Sequence, residues 1–110
     1  MKFIIAIIRP EQLSDVKQAL FDSEFKHMTA TTVMGTAPKT EQRQFRGVKK
    51  EISLFNRIRL EIAVEDSKVE SVLSCISNGA KESGGYGKVF VLELSDVMSV
   101  WTGDRGEEAL

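Results

Sequence analysis

The chain has 110 residues, of which 42% are hydrophobic and 28% charged, and a net charge of −1. This composition suits one soluble domain, 1–110, with a modest core, and it excludes a protein that holds nucleic acid through a global basic field. The single cysteine, Cys75, cannot close an intramolecular disulfide, which points to a reducing compartment.

Phe3 to Ile8 is a continuous apolar run, the pattern of a strand buried on both faces. It is too short to cross a bilayer, and Arg9-Pro10 ends it without the cleavage site of a signal peptide, so a cytoplasmic protein is expected. Pro10 fits the first turn of a helix, and Leu13, Val16, Ala19 and Leu20 then recur at helical spacing, predicting a helix from Pro10 to Ser23. Met28 to Val33 is rich in Thr and Val and reads as a strand ending at Gly35. From Thr36 to Phe55 no period is sustained, and so long a segment without structure of its own inside a compact domain points to a functional or mobile loop. Order returns at Arg57, where Ile58, Leu60 and Ile62 alternate with Arg57, Arg59 and Glu61 as in a half-buried strand. Val69, Val72, Leu73 and Ile76 mark a second amphipathic helix over Asp66 to Lys81, and a strand follows from Lys88 to Leu94. Asp96 to Trp101 is ambiguous, and Thr102 to Leu110 is polar, which predicts an extended or mobile end.

The order β-α-β, loop, β-α-β predicts an α+β fold of the ferredoxin-like double βαβ type, an antiparallel four-stranded sheet with two helices on one face. The other face is left uncovered. Ile5, Ile7, Thr29, Thr31, Ile58, Leu60, Phe90 and Leu92 are in aggregate too apolar for an open sheet, so burial in a closed ring, a homotrimer, is expected.

Between the second helix and the last strand stands Gly84-Gly85-Tyr86-Gly87-Lys88. Closely spaced glycines let backbone N–H groups converge on one point, and a lysine beside them makes an anion cradle. The stretch is not a Walker A loop: Val follows Lys88, Glu82 stands in place of the first motif glycine, and a strand comes next. A plain tight turn explains the same residues.

In their order and spacing these segments resemble the PII nitrogen-regulatory signal-transduction proteins. Ala6-Ile7-Ile8-Arg9-Pro10 with Leu13, Val16 and Ala19-Leu20 looks like the family's opening strand and helix, continued by Met28-Thr29 and Val33-Met34-Gly35. Phe45-Arg46-Gly47 followed by Arg57 to Ile62 resembles the end of its long T-loop and the next strand. Gly85-Tyr86-Gly87-Lys88-Val89-Phe90-Val91 is similar to its B-loop, Gly-Asp-Gly-Lys-Ile-Phe-Val, and Thr102 to Leu110 to its C-loop. The resemblance implies a homotrimeric sensor, not an enzyme, that binds an adenine nucleotide between the B-loop of one chain and the C-loop of its neighbour. Positions matching the family's site are Ile7, Thr29, Gly35, Glu61, Ala63, Gly85, Gly87 and Lys88. Trp101 is added as a residue that stacks on the base or packs at the subunit interface. The T-loop, here 36–54, would engage a membrane transporter or a metabolic enzyme, with nitrogen regulation as the default context and recruitment to the membrane where the partner is a transporter.

The chain departs from the family pattern in the site itself. Lys39 replaces the glutamine that helps hold Mg-ATP with 2-oxoglutarate, Lys50 replaces the tyrosine that many bacterial members have uridylylated, Ser99 and Trp101 replace two phosphate-gripping arginines, and Tyr86 replaces the B-loop aspartate. These changes disfavour Mg and 2-oxoglutarate and favour a less charged ligand such as ADP, AMP or a cyclic nucleotide over ATP. The alternative reading is therefore a PII-like sensor of such a nucleotide that regulates a metal-efflux or inorganic-carbon transporter.

Lys39, Arg43, Arg46, Lys49 and Lys50 face Glu41 alone between Lys39 and Lys50. Such a loop is either solvated or a docking finger, with Arg43, Lys49 and Lys50 as candidate partner contacts. One histidine, His27, and one cysteine make neither a metal cluster nor a nucleophile–base pair, so no metal ligand and no catalytic residue is assigned. An acylphosphatase-like hydrolase, the lower alternative, needs an Arg and an Asn aimed at phosphate; Arg9 is present, but no Asn matches. An RNA-binding module would need paired aromatics on the sheet, and no nucleic-acid partner is expected.

Overall fold

The computed structural model describes residues 1–36, 53–81, 84 and 86–110. Strand β1 (Lys2–Ile8) leads through a 3₁₀ turn, Pro10–Gln12, into helix α1 (Leu13–Asp22) and strand β2 (Thr29–Thr36). Strand β3 (Leu54–Val64), a 3₁₀ turn, Asp66–Lys68, helix α2 (Val69–Lys81) and strand β4 (Gly87–Glu93) repeat the pattern. The sheet order is β2-β3-β1-β4, antiparallel at every pairing, which is the ferredoxin-like arrangement.

Period-2 alternation divides the two central strands between the faces of the sheet. Ile4, Ala6 and Ile8 of β1 and Ile58, Leu60, Ile62 and Val64 of β3 point into the core, against Val16 and Leu20 of α1 and Val72 and Ile76 of α2. One expectation changes here. β1 is buried on one face only within the single chain, its Ile5 and Ile7 being half-buried on the other. Of the sheet residues weighed together from sequence, Ile58 and Leu60 turn to the core. What remains open is an apolar strip on β1 and β4, where Ile5 pairs with Phe90 and Phe3 with Leu92. Phe90 and Leu92 are 48% and 44% exposed. Beside the strip, Thr29 faces Glu61 and Thr31 faces Arg59 across β2 and β3, so that half of the face is polar.

The helices cross where α2 carries Gly79. A Cβ at Gly79 would stand 2.7 Å from the Val16 Cα, so the glycine is what admits the two backbones to each other. Gln12 is the one buried polar side chain among the described residues. It accepts the Arg9 N–H at 2.8 Å and donates to the Ala80 carbonyl at 3.3 Å, tying the end of β1 to the end of α2. Helix α1 stops in a Schellman motif: the Phe25 N–H reaches the Leu20 carbonyl at 2.9 Å, with Glu24 in the left-handed region at φ 70°.

β3 begins at Leu54, three residues before its expected start at Arg57, because Gly35↔Phe55 and Thr36↔Leu54 extend its ladder with β2. The two strands thus run to the root of the long loop on both sides. The C-terminal segment is built, not extended. Met98 bridges Arg105, Ser99 N–H donates to the Asp104 carbonyl at 2.9 Å, and Gly106 N–H donates to the Val97 carbonyl at 2.9 Å. The Arg105 guanidinium closes the loop on the Asp96 carboxylate, Gly103 and Gly106 turn at φ 79° and 70°, and a 3₁₀ turn, Gly106–Ala109, follows. At the tip, Val100 and Trp101 are 93% and 94% exposed.

Candidate functional site

β4 starts under tight steric control. Gly87 lies at φ 142°, and a Cβ there would come within 2.8 Å of the Ile7 carbonyl oxygen. Only glycine meets both conditions. With Gly87 opposite Ile8, the register sets Lys88 opposite Ile7, on the open face.

At this end of the open face the strands enclose a cleft of about 590 Å³. Ile7 and Phe90 supply apolar surface, Gly35 and Thr36 form the β2 side, and Arg9, Arg57 and Lys88 bring three cations to the wall. No carboxylate lines it among the described residues. The Arg9 guanidinium lies 4.3 Å from the centroid of the Tyr86 ring, and its Nη1 is 3.9 Å from Glu11 Oε1. Arg57 packs 5.6 Å from the Phe55 ring centroid and donates to the Asn56 carbonyl at 2.9 Å. Lys88 makes no hydrogen bond or ion pair with the described residues. Behind Tyr86-Gly87-Lys88, toward α2, lies a smaller cavity of about 200 Å³ reached by Ser77 and Lys81.

Of the residues expected at the site, Ile7, Gly35, Gly87 and Lys88 come together in this cleft. Thr29, Glu61 and Ala63 do not line it: Thr29 pairs with Glu61 farther along the sheet, and Ala63 pairs with Phe3. The Glu61 carboxylate accepts from Arg59 Nε at 2.9 Å. Trp101 stands at the tip of the C-terminal loop and does not line its own chain's cleft. Gly85, Lys39 and the candidate partner contacts Arg43, Lys49 and Lys50 lie outside the described residues.

Sequence reasoning missed Arg9 and Arg57 as site residues. Arg57 carried a signal, since it alternates with the buried Ile58 and so had to share a face with Arg59. Arg9 was weighed only as the phosphate arginine of the hydrolase alternative, because only the β1–β4 register shows that it lies beside Tyr86.

The model of the family described as nitrogen regulatory protein P-II matches residues 1–104. The chain belongs to the P-II family. The nitrogen regulatory protein GlnK1 of Methanosarcina mazei is 40% identical over all of this chain and 97% of its own length. GlnK2 of Haloferax mediterranei is 33% identical over all of this chain and 91% of its own length, and the P-II protein of Azospirillum brasilense is 33% identical over the whole of both. P-II membership makes the chain a nitrogen-regulatory signal transducer with the ferredoxin-like fold, and it accounts for an uncovered apolar sheet strip, since P-II proteins are homotrimeric regulators that act through partner proteins. No helix among the described residues is long and apolar enough to cross a membrane.

Proposed function

We propose that this P-II protein is a homotrimer that binds an adenine nucleotide in the cleft between β1, β2 and β4 and controls a partner protein through the 36–54 loop. The observation that carries this reading is the cleft itself: three cations and no carboxylate among its described residues, against an apolar floor, at the root of the loop. The phosphates of ADP, AMP or ATP would take the Lys88 ammonium and the backbone near Gly87, while Ile7 and Phe90 offer apolar surface to the purine. Thr36 ends β2 at the loop's start, and Arg57 stands just past its end, so a ligand touching both acts on the loop from either side. It shifts the loop's conformations only as far as its affinity differs between them.

In the trimer, the Trp101 tip of a neighbouring chain would close the cleft, stacking on the base or packing at the interface. The described wall offers cations in place of carboxylates, which suits direct phosphate contacts over a Mg²⁺ bridge, and 2-oxoglutarate is left outside the proposed ligand set because Lys39 replaces the glutamine that helps hold it with Mg-ATP. The partner is a membrane transporter or a metabolic enzyme, met through Arg43, Lys49 and Lys50. The names of the relatives support nitrogen regulation as the context over metal efflux or inorganic-carbon transport. Calorimetry with ATP, ADP, AMP and cyclic AMP, with and without Mg²⁺, tests the proposal. ADP or AMP is expected to bind without Mg²⁺; tight ATP binding that requires Mg²⁺ and is enhanced by 2-oxoglutarate would contradict the ligand assignment.

A further inference from the structure

Arg9 is held at both of its ends. Its backbone N–H is fixed by Gln12 Oε1 at 2.8 Å, and Gln12 is itself fully buried. Its side chain stacks on Tyr86, 4.3 Å from guanidinium carbon to ring centroid, and is 21% exposed. Gly84 borders this pair: a Cβ there would make only ordinary contacts, 3.7 Å to Tyr86 Cδ2 and 4.0 Å to Arg9 Nη1. Gly84 also lies at φ 108°, where other residues are strained.

A guanidinium stacked on a ring uses its face, whereas its hydrogen bonds run in its plane along the edge. The Tyr86 ring therefore sets the orientation of the Arg9 plane, and so the direction in which its N–H edge meets the cleft. We infer that Tyr86 is a positioning residue: it holds Arg9 as a second phosphate-binding cation beside Lys88, so that the cleft grips a diphosphate through two side chains of its own chain. This rests on the nucleotide reading above. It also gives Tyr86 a role that an aspartate at that position could not fill by stacking.

The test is a double-mutant cycle read by calorimetry with ADP and adenosine on the intact oligomer. Tyr86→Leu is expected to weaken ADP about threefold to tenfold while leaving adenosine unchanged. Tyr86→Phe, which keeps the ring face, is expected to bind ADP as the parent does. In an Arg9→Gln background, Tyr86→Leu is expected to cost nothing further. If Tyr86→Leu folds poorly, Arg9→Lys makes the same test, because charge is kept and the planar stack lost; its ADP affinity is expected to fall.

The inference alone is overturned if the parent binds ADP and Tyr86→Leu binds it equally well, if adenosine weakens as much as ADP, if Tyr86→Phe falls with Tyr86→Leu, or if the two substitutions are additive. A parent protein that binds neither ADP nor ATP overturns the nucleotide reading, and the inference with it.

Discussion

Gly87 shows how one residue joins fold to site. Its φ of 142° and the 2.8 Å approach that a Cβ would make to the Ile7 carbonyl both act against any side chain. The obstacle is backbone and cannot rotate away. Gly87→Ala is therefore expected to cost about 1–3 kcal/mol, read as a lowered urea midpoint, and to displace Lys88 from its place opposite Ile7. Gly35 is different: a Cβ there would sit 3.6 Å from Arg57 Cγ, an ordinary contact. The glycine loop was legible in the sequence as a turn with a lysine beside it. Which of its glycines is sterically obligatory was not, because that depends on how close β1 passes.

Elements followed periodicity where periodicity existed. Both helices, and the strands on which apolar and polar residues alternate, were readable because a wrong register would put a whole apolar set in water. The features that escaped depend on contacts distant in sequence or on turn chemistry. Gly79 looks like a weak point in an otherwise good helix, yet its reason is the passage of α1 at Val16. Alanine would improve local helix propensity by about 1 kcal/mol, but the 2.7 Å contact is with backbone. Gly79→Ala should therefore destabilise the protein by about 1–3 kcal/mol in thermal or urea unfolding.

The C-terminal loop is polar in sequence because its own side chains satisfy its backbone: Asp96 accepts the Val97 N–H at 2.8 Å, and Thr102 accepts the Asp104 N–H at 3.2 Å. Arg105, with the Val97 N–H, holds the Asp96 carboxyl below its ordinary value of 3.8. A depressed carboxylate contributes stability that is fully present above its unfolded pKa and is lost as pH falls through its folded one. The loop should accordingly loosen in acid, below about pH 4. Trp101 fluorescence is expected to report a transition there that Asp96→Asn removes; an identical acid transition in Asp96→Asn would assign it to other groups.

At the scale of the molecule, a ferredoxin-like sheet with helices on one side exposes Phe90 and Leu92 on the other, and P-II membership explains why an apolar strip should stand there. The cleft lies at one end of that strip, and the Trp101 loop projects from the same chain without reaching its own cleft. The fold was visible in the order and spacing of segments, whereas two of the cations that line the cleft were not. Counting only the residues that replace the family's arginines, the sequence suggested a cradle poor in cations; the β1–β4 and β2–β3 registers bring Arg9 and Arg57 to it.

An ADP titration into the parent protein and into Lys88→Ala, with oligomer mass followed by sedimentation, decides whether this cleft holds the phosphates of an adenine nucleotide. Removing one charged phosphate contact at constant assembly is expected to weaken ADP about tenfold to a hundredfold. Equal affinity in the two proteins, or no ADP binding by the parent, would contradict it.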